Sequence, residues 1–144
     1  MSVDQQKRLL IVDDSAFMRK MISEFFVDHP YIRVVGTARN GKDAIKKIQL
    51  LQPDVVTMDV EMPEMNGLEA LKVIMKECPV PVVMLSSTTK SGAQITLEAM
   101  ASGAVDFIAK PSGPISLDIE TIQDEITRIV ENAVTVHVSK LRRK

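Results

Sequence analysis

Leu9-Leu10-Ile11-Val12-Asp13-Asp14-Ser15 is a compact run of β-prone apolar residues that ends abruptly in two acids. An unbroken apolar run of this length suits a strand buried on both faces of a parallel sheet. Outward from it, residues 15 to 27 take helical spacing. Phe17, Met21 and Phe25 recur at i, i+4 and i+8, and Met18 and Ile22 widen the stripe. Asp28-His29-Pro30 is expected to stop that helix, because the residue before a proline is pushed out of the helical region.

The same alternation then repeats. Ile32-Arg33-Val34-Val35-Gly36 reads as a second strand, and Asn40 as the N-cap of a helix carrying Ala44, Ile45, Ile48 and Leu51. Pro53 breaks the chain before a third strand, Asp54-Val55-Val56-Thr57-Met58-Asp59. After a loop from Val60 to Met65, Asn66 and Glu69 have capping-box spacing ahead of Leu68, Leu71, Ile74 and Met75. Val80-Pro81-Val82-Val83-Met84-Leu85 is the fourth strand. Ser91 and Gln94 suggest a cap for a helix to about Ser102, ended by Gly103, and Val105-Asp106-Phe107-Ile108-Ala109 is the fifth strand. Beyond the turn cluster Pro111-Ser112-Gly113-Pro114, a cap at Ser116 to Asp118 opens a final helix with Ile119, Ile122, Ile126, Ile129, Val130 and Ala133 on one face. The basic end, Ser139 to Lys144, reads as a fraying tail or the start of a linker.

Five strands alternating with helices predict an α/β fold: a doubly wound, five-stranded parallel sheet in the order 2-1-3-4-5. That order sets the carboxyl ends of strands one and three side by side at the topological switch point, where such folds bind ligands. The 144 residues suffice for one domain with its own core. Eighteen basic residues against nineteen acidic ones give a net charge of −1, which offers no electrostatic case for nucleic acid or an anionic membrane. No apolar run approaches the roughly 20 residues of a membrane helix, and the polar N-terminus lacks the apolar stretch of a signal peptide. A cytoplasmic location is expected. Cys78 is the single cysteine, so no internal disulfide forms, and it reads as a small half-buried residue. His29 and His137 have no companions at ligand-like spacing, which disfavours zinc chemistry and a serine-histidine triad.

On the predicted sheet, Asp13, Asp14, Asp59, Ser86, Ser87 and Lys110 all fall at the carboxyl ends of strands. Each has a bland reading alone: a charge-matched helix start for the acidic pair, a loop acid, a turn serine, a solvated lysine. Together they are three repelling carboxylates that need a hard cation and a lysine to coexist. Mg²⁺ suits an oxygen-only site built from Asp13, Asp14 and Asp59, with the backbone carbonyl of Glu61 within reach of the shell. Asp59 then doubles as a nucleophile toward a phosphoryl group. Lys110 and the Ser86 hydroxyl serve the other phosphoryl oxygens, and the product is a transient acyl phosphate.

Leu9 to Ser15, Met58 to Gly67, Leu85-Ser86 and Phe107-Ile108-Ala109-Lys110-Pro111 resemble the response-regulator receiver family, whose fold is flavodoxin-like. The resemblance runs from about Arg8 to about Val134. It implies that Asp59 is the phosphoacceptor, that Asp13, Asp14 and Glu61 form the Mg²⁺ site, and that Ser86 and Lys110 are the switch hydroxyl and the phosphate-binding lysine. Phe107 takes the place of the rotameric aromatic, and the Lys110-Pro111 peptide is expected to be cis. Phosphorylation would pull the hydroxyl in, turn the aromatic inward and reshape the face of helix four, strand five and helix five.

A narrower set looks like the receiver of the chemotaxis protein-glutamate methylesterases: Asp14 to Arg19, Thr57 to Pro63, Leu85 to Thr89 and Gly103 to Gly113. In that family the receiver covers the active site of a serine-hydrolase domain until it is phosphorylated, and the hydrolase demethylates or deamidates chemoreceptors. This implies a chemotaxis histidine kinase as partner, a methylesterase domain in the same parent chain, and chemoreceptors reached through that domain. No Gly-rich serine-nucleophile motif occurs in these residues, so the catalytic domain is expected elsewhere in a longer parent. The expected layout is a receiver over 1–134 and an extension or linker start over 135–144. Two alternatives are a stand-alone receiver and a Mg²⁺-dependent phosphohydrolase with an aspartyl nucleophile. The second usually sets nucleophile and acid two residues apart on the first strand, unlike Asp13-Asp14-Ser15.

Overall fold

The computed structural model describes residues 6–86, 90–110 and 119–135. Its elements run β1 (Lys7–Val12), α1 (Ala16–Phe25), β2 (Ile32–Ala38), α2 (Gly41–Leu51), β3 (Val55–Asp59), α3 (Gly67–Glu77), β4 (Val82–Ser86), α4 (Lys90–Ala101), β5 (Asp106–Ala109) and α5 (Ile119–Ala133). The strands are parallel and ordered β2-β1-β3-β4-β5, as the alternation predicts.

Successive strand residues feed two separate cores, which is the period-two geometry of a pleated sheet. Leu10, Val12, Val56, Met58, Val82 and Met84 pack on one face with α2, α3 and α4. Leu9, Ile11, Val55, Val83, Leu85 and Ile108 pack on the other with α1 and α5. Each fully buried Leu, Ile or Met contributes roughly 1.5–3 kcal/mol relative to exposure.

The helix starts follow the sequence. The Asn40 side chain accepts from the Asp43 N–H, and Asn66 and Glu69 form a complete capping box. Gln52, in the left-handed region at φ 50°, ends α2. Gly67 matters most for the site. A Cβ there would lie 2.4 Å from the Asp59 carbonyl oxygen, so only glycine lets α3 begin this close to the end of β3. Its N–H donates to the Val60 carbonyl at 2.8 Å and locks the β3–α3 loop.

Four expectations need correction. Phe17 is not part of the α1 stripe; it is 60% exposed, and Met18, Met21, Ile22 and Phe25 form the buried face. Those four centre on an arc that leaves position 17 at its border, about a quarter turn away. α1 ends at Phe25, before Asp28-His29-Pro30, because Phe26 leaves helical geometry and buries its own ring in the core. α4 starts at Lys90, one residue ahead of the expected cap at Ser91, whose side chain lies outside what is described. Ile119, at the start of α5, is 37% exposed, and the helix buries Ile126, Val130 and Ala133 instead. Ser87, the Lys110–Pro111 peptide, the turn at 111–114, the cap at 116–118 and the basic end involve residues outside those described.

Candidate functional site

β1 and β3 are neighbours, with Val12 opposite Met58, so the residues that follow, Asp13 and Asp59, meet at the carboxyl edge. Ser86 ends β4 opposite Ala109 of β5, and the Lys110 N–H donates to the Ser86 carbonyl at 2.7 Å. The register therefore brings Asp13, Asp59, Ser86 and Lys110 to one edge.

The arrangement is electrostatically unfinished. Asp13 and Asp59 are almost entirely buried, and burial of an ionised carboxylate is costly without partners. Lys110 bridges them, its Nζ 3.0 Å from Asp59 Oδ2 and 3.1 Å from Asp13 Oδ2. One ammonium faces two buried acids. Burial, and then the Asp13 charge, push the Asp59 carboxyl up to about 7 despite Lys110. Burial likewise raises Asp13, against the opposing Ser15 backbone N–H and Lys110. Burial alone would lower Lys110, but the two acids more than offset it and hold its ammonium above the ordinary value.

Backbone groups aim the carboxylates. The Ser15 N–H donates to Asp13 Oδ1 at 2.9 Å and the Glu61 N–H to Asp59 Oδ1 at 3.3 Å. Arg19, which the sequence did not single out, donates from its guanidinium to the Asp13 carbonyl at 2.8 Å. Its only signal was a position one turn into the helix that follows the acids.

Carboxylate oxygens of Asp13, Asp14 and Asp59 lie within 4.8 Å of one another, with Asp14 exposed and the other two buried. Among the described residues, Asp13 Oδ2 has no partner beyond the Lys110 ammonium 3.1 Å away, which it shares with Asp59. A buried, under-bonded carboxylate oxygen in an all-oxygen cluster fits a hard divalent cation. The remaining expected residues are placed as follows. Ser86 is buried at the β4 end, Glu61 sits just past β3 with its side chain exposed, and Phe107 is 48% exposed on β5. His29 lies at the opposite edge, and Cys78 is the half-buried C-cap of α3.

The sequence matches the family model described as the Response regulator receiver domain over residues 9–122. It is 60% identical over 134 residues to the protein-glutamate methylesterase/protein-glutamine glutaminase of Geobacillus kaustophilus, covering 93% of this chain and 38% of that protein. It is 58% identical over 131 residues to the protein of the same description from Oceanobacillus iheyensis, covering 91% of this chain and 37% of that one. The chain thus spans little more than a third of the length of these relatives. Among solved structures, the response regulator domain of Thermotoga maritima CheB superposes with a TM-score of 0.82 at 48% identity, covering 92% of this chain and 98% of that one.

Proposed function

Because this chain belongs to the response-regulator receiver family, we propose that it is the phosphorylation switch of a chemotaxis methylesterase, with Asp59 as the phosphoacceptor. The single observation that carries the reading is the pair of buried acids, Asp13 and Asp59, sharing one lysine at the switch point of the sheet.

Asp59 attacks phosphorus through a carboxylate oxygen. A new O–P bond forms, the P–N bond of a phosphohistidine breaks, and the imidazole leaves and takes a proton from solvent. Asp13, Asp14, Asp59 and the Glu61 backbone carbonyl would hold Mg²⁺. Bound there, the ion supplies positive charge that favours ionised Asp59 and neutralises phosphoryl oxygens. Lys110 holds its ammonium against Asp59 Oδ2 and is ready to follow the incoming charge. The Glu61 N–H keeps Asp59 Oδ1 oriented. Ser86 supplies a hydroxyl to a phosphoryl oxygen, and Phe107 starts from an outward position and turns inward behind it. The face built from α4, β5 and α5 then changes population, which is how a local charge becomes a signal. Water hydrolyses the acyl phosphate and resets the switch.

The relatives support the wider setting. A histidine kinase of the chemotaxis system donates the phosphoryl group, and the receiver spans residues 1–134, with 135–144 leading toward a methylesterase domain. That domain would carry the action on chemoreceptors. The setting is cytoplasmic; among the described residues no helix is long and apolar enough to cross a membrane.

Incubation with acetyl phosphate and Mg²⁺, followed by intact-mass measurement, tests the reading. A stoichiometric, labile gain of one phosphoryl group, absent in Asp59→Asn, is the expected result. No gain in the unaltered chain contradicts it, and steady turnover of a phosphomonoester would point to a phosphohydrolase instead.

A further inference from the structure

A second charged site lies on the other side of β1 from Asp59. β2 is an edge strand, and above its carboxyl end opens a cleft of about 560 Å³. Arg19 of α1, Arg39 just past β2, and Lys42, Lys46 and Lys47 of α2 line it, with Asp43 as the one acid. Five cations against one carboxylate leave an excess of four positive charges, in a chain whose net charge is −1. Such concentration in a concavity creates a focused field, whereas the same lysines scattered over a convex surface would be solvated singly.

The existing partners do not consume this charge. Asp43 is already engaged: Oδ2 accepts from the Arg39 backbone N–H at 3.3 Å and lies 3.5 Å from Lys47 Nζ. Lys47 also donates to the Thr37 carbonyl, and Arg19 to the Asp13 carbonyl. Among the described residues, no carboxylate lies within ion-pairing distance of Arg39, Lys42 or Lys46. α2 begins at this cleft, with Asn40 as its cap, so the positive end of the helix adds to the field.

We infer that this cleft binds a compact polyanion through two or more phosphate groups. Arginine and lysine together match that chemistry, one as a planar fork and the other as a point charge. The volume lies in the range of small-ligand sites. None of the described lining residues is aromatic, so no platform exists for stacking a base. Recognition therefore rests on phosphates and not on a nucleobase. The site is independent of phosphoryl transfer to Asp59.

Titrating the whole chain with inorganic tripolyphosphate in EDTA, followed by amide and arginine side-chain NMR, tests the inference. The expected result is saturable shifts confined to residues 37–47 and Arg19. Replacing Lys42→Gln together with Lys46→Gln should weaken binding at least about tenfold, with an unchanged melting temperature because both side chains are exposed. A parallel titration with ATP should give the same shifts at similar affinity, whereas marked tightening by the adenosine would overturn recognition through phosphates alone. Shifts reproduced by sodium chloride at matched ionic strength would overturn the site altogether. So would saturable binding that the double substitution leaves intact. Asp59→Asn should titrate identically, which separates failure here from failure of the phosphoacceptor reading.

Discussion

Two polar clusters, one half-buried and one buried, sit at opposite edges of the same sheet, and they are built on opposite principles. At the amino edge, His29 is finished. Its Nδ1 accepts from the Tyr31 and Ile32 backbone N–H groups at 3.2 and 3.0 Å, which makes Nε2 the donor to Glu131 Oε2 at 2.7 Å. The ring also rests edge-on against Tyr31. At the carboxyl edge, Asp13 and Asp59 share one lysine, and Asp13 Oδ2 has no other partner among the described residues. The first cluster ties the turn after α1 to α5 and stabilises the fold. The second costs stability, and such a cost is expected where a site awaits a charged ligand.

The largest way to break this contrast is kinetic. Lys110→Met should slow phosphorylation by acetyl phosphate about 100-fold or more, since it removes the fixed cation facing the transferred group. His29→Ala should leave that rate unchanged, and timed intact-mass measurement reads both. In stability the two clusters should respond with opposite signs. Without metal at pH 7.5, Asp59→Asn should stabilise the chain by about 1–3 kcal/mol by relieving a buried like-charge pair. His29→Ala should destabilise it by about 2–3 kcal/mol, because two backbone N–H groups and Glu131 lose their partner. Urea unfolding measures each.

The acidic edge also predicts a pH slope. Below about pH 4 the unfolded Asp59 carboxyl is protonated, as is the folded one, and its ionisation costs nothing. From there to about 7, where the folded group ionises, the folded state holds the extra proton. Stability therefore falls as pH rises through that window and levels off above it. Asp13, raised in the same direction, adds to the slope. Lys110, raised above its ordinary value, contributes stability that is lost only in strongly alkaline solution. Asp59→Asn should flatten the slope, and saturating Mg²⁺ should oppose it. The smallest expected effect lies away from both clusters. Asn66→Ala removes half of a capping box and should cost about 1 kcal/mol without changing either pH profile.

The strand order, the helix caps at Asn40 and Asn66 and the meeting of Asp13 with Asp59 were legible in the sequence, because each depends on a local pattern or on the restricted topologies of parallel sheets. Phe17 was not, since which residues of a wide apolar stripe turn inward depends on the neighbouring elements. The bridge from Lys110 to both acids was legible only once the strands were ordered. A lysine before a proline reads as solvated until β5 is set beside β4. The basic cleft draws on α1, β2 and α2, so no single stretch announces it.

On the proposed function, the unfinished edge takes phosphorus on one particular oxygen-bearing side chain. Borohydride reduction of the acetyl-phosphate-treated chain, followed by peptide sequencing, locates that side chain directly. Homoserine at position 59 and nowhere else is the predicted result. Homoserine at position 13 or 14, or none at all under conditions that load the chain, would rule out Asp59 as the phosphoacceptor.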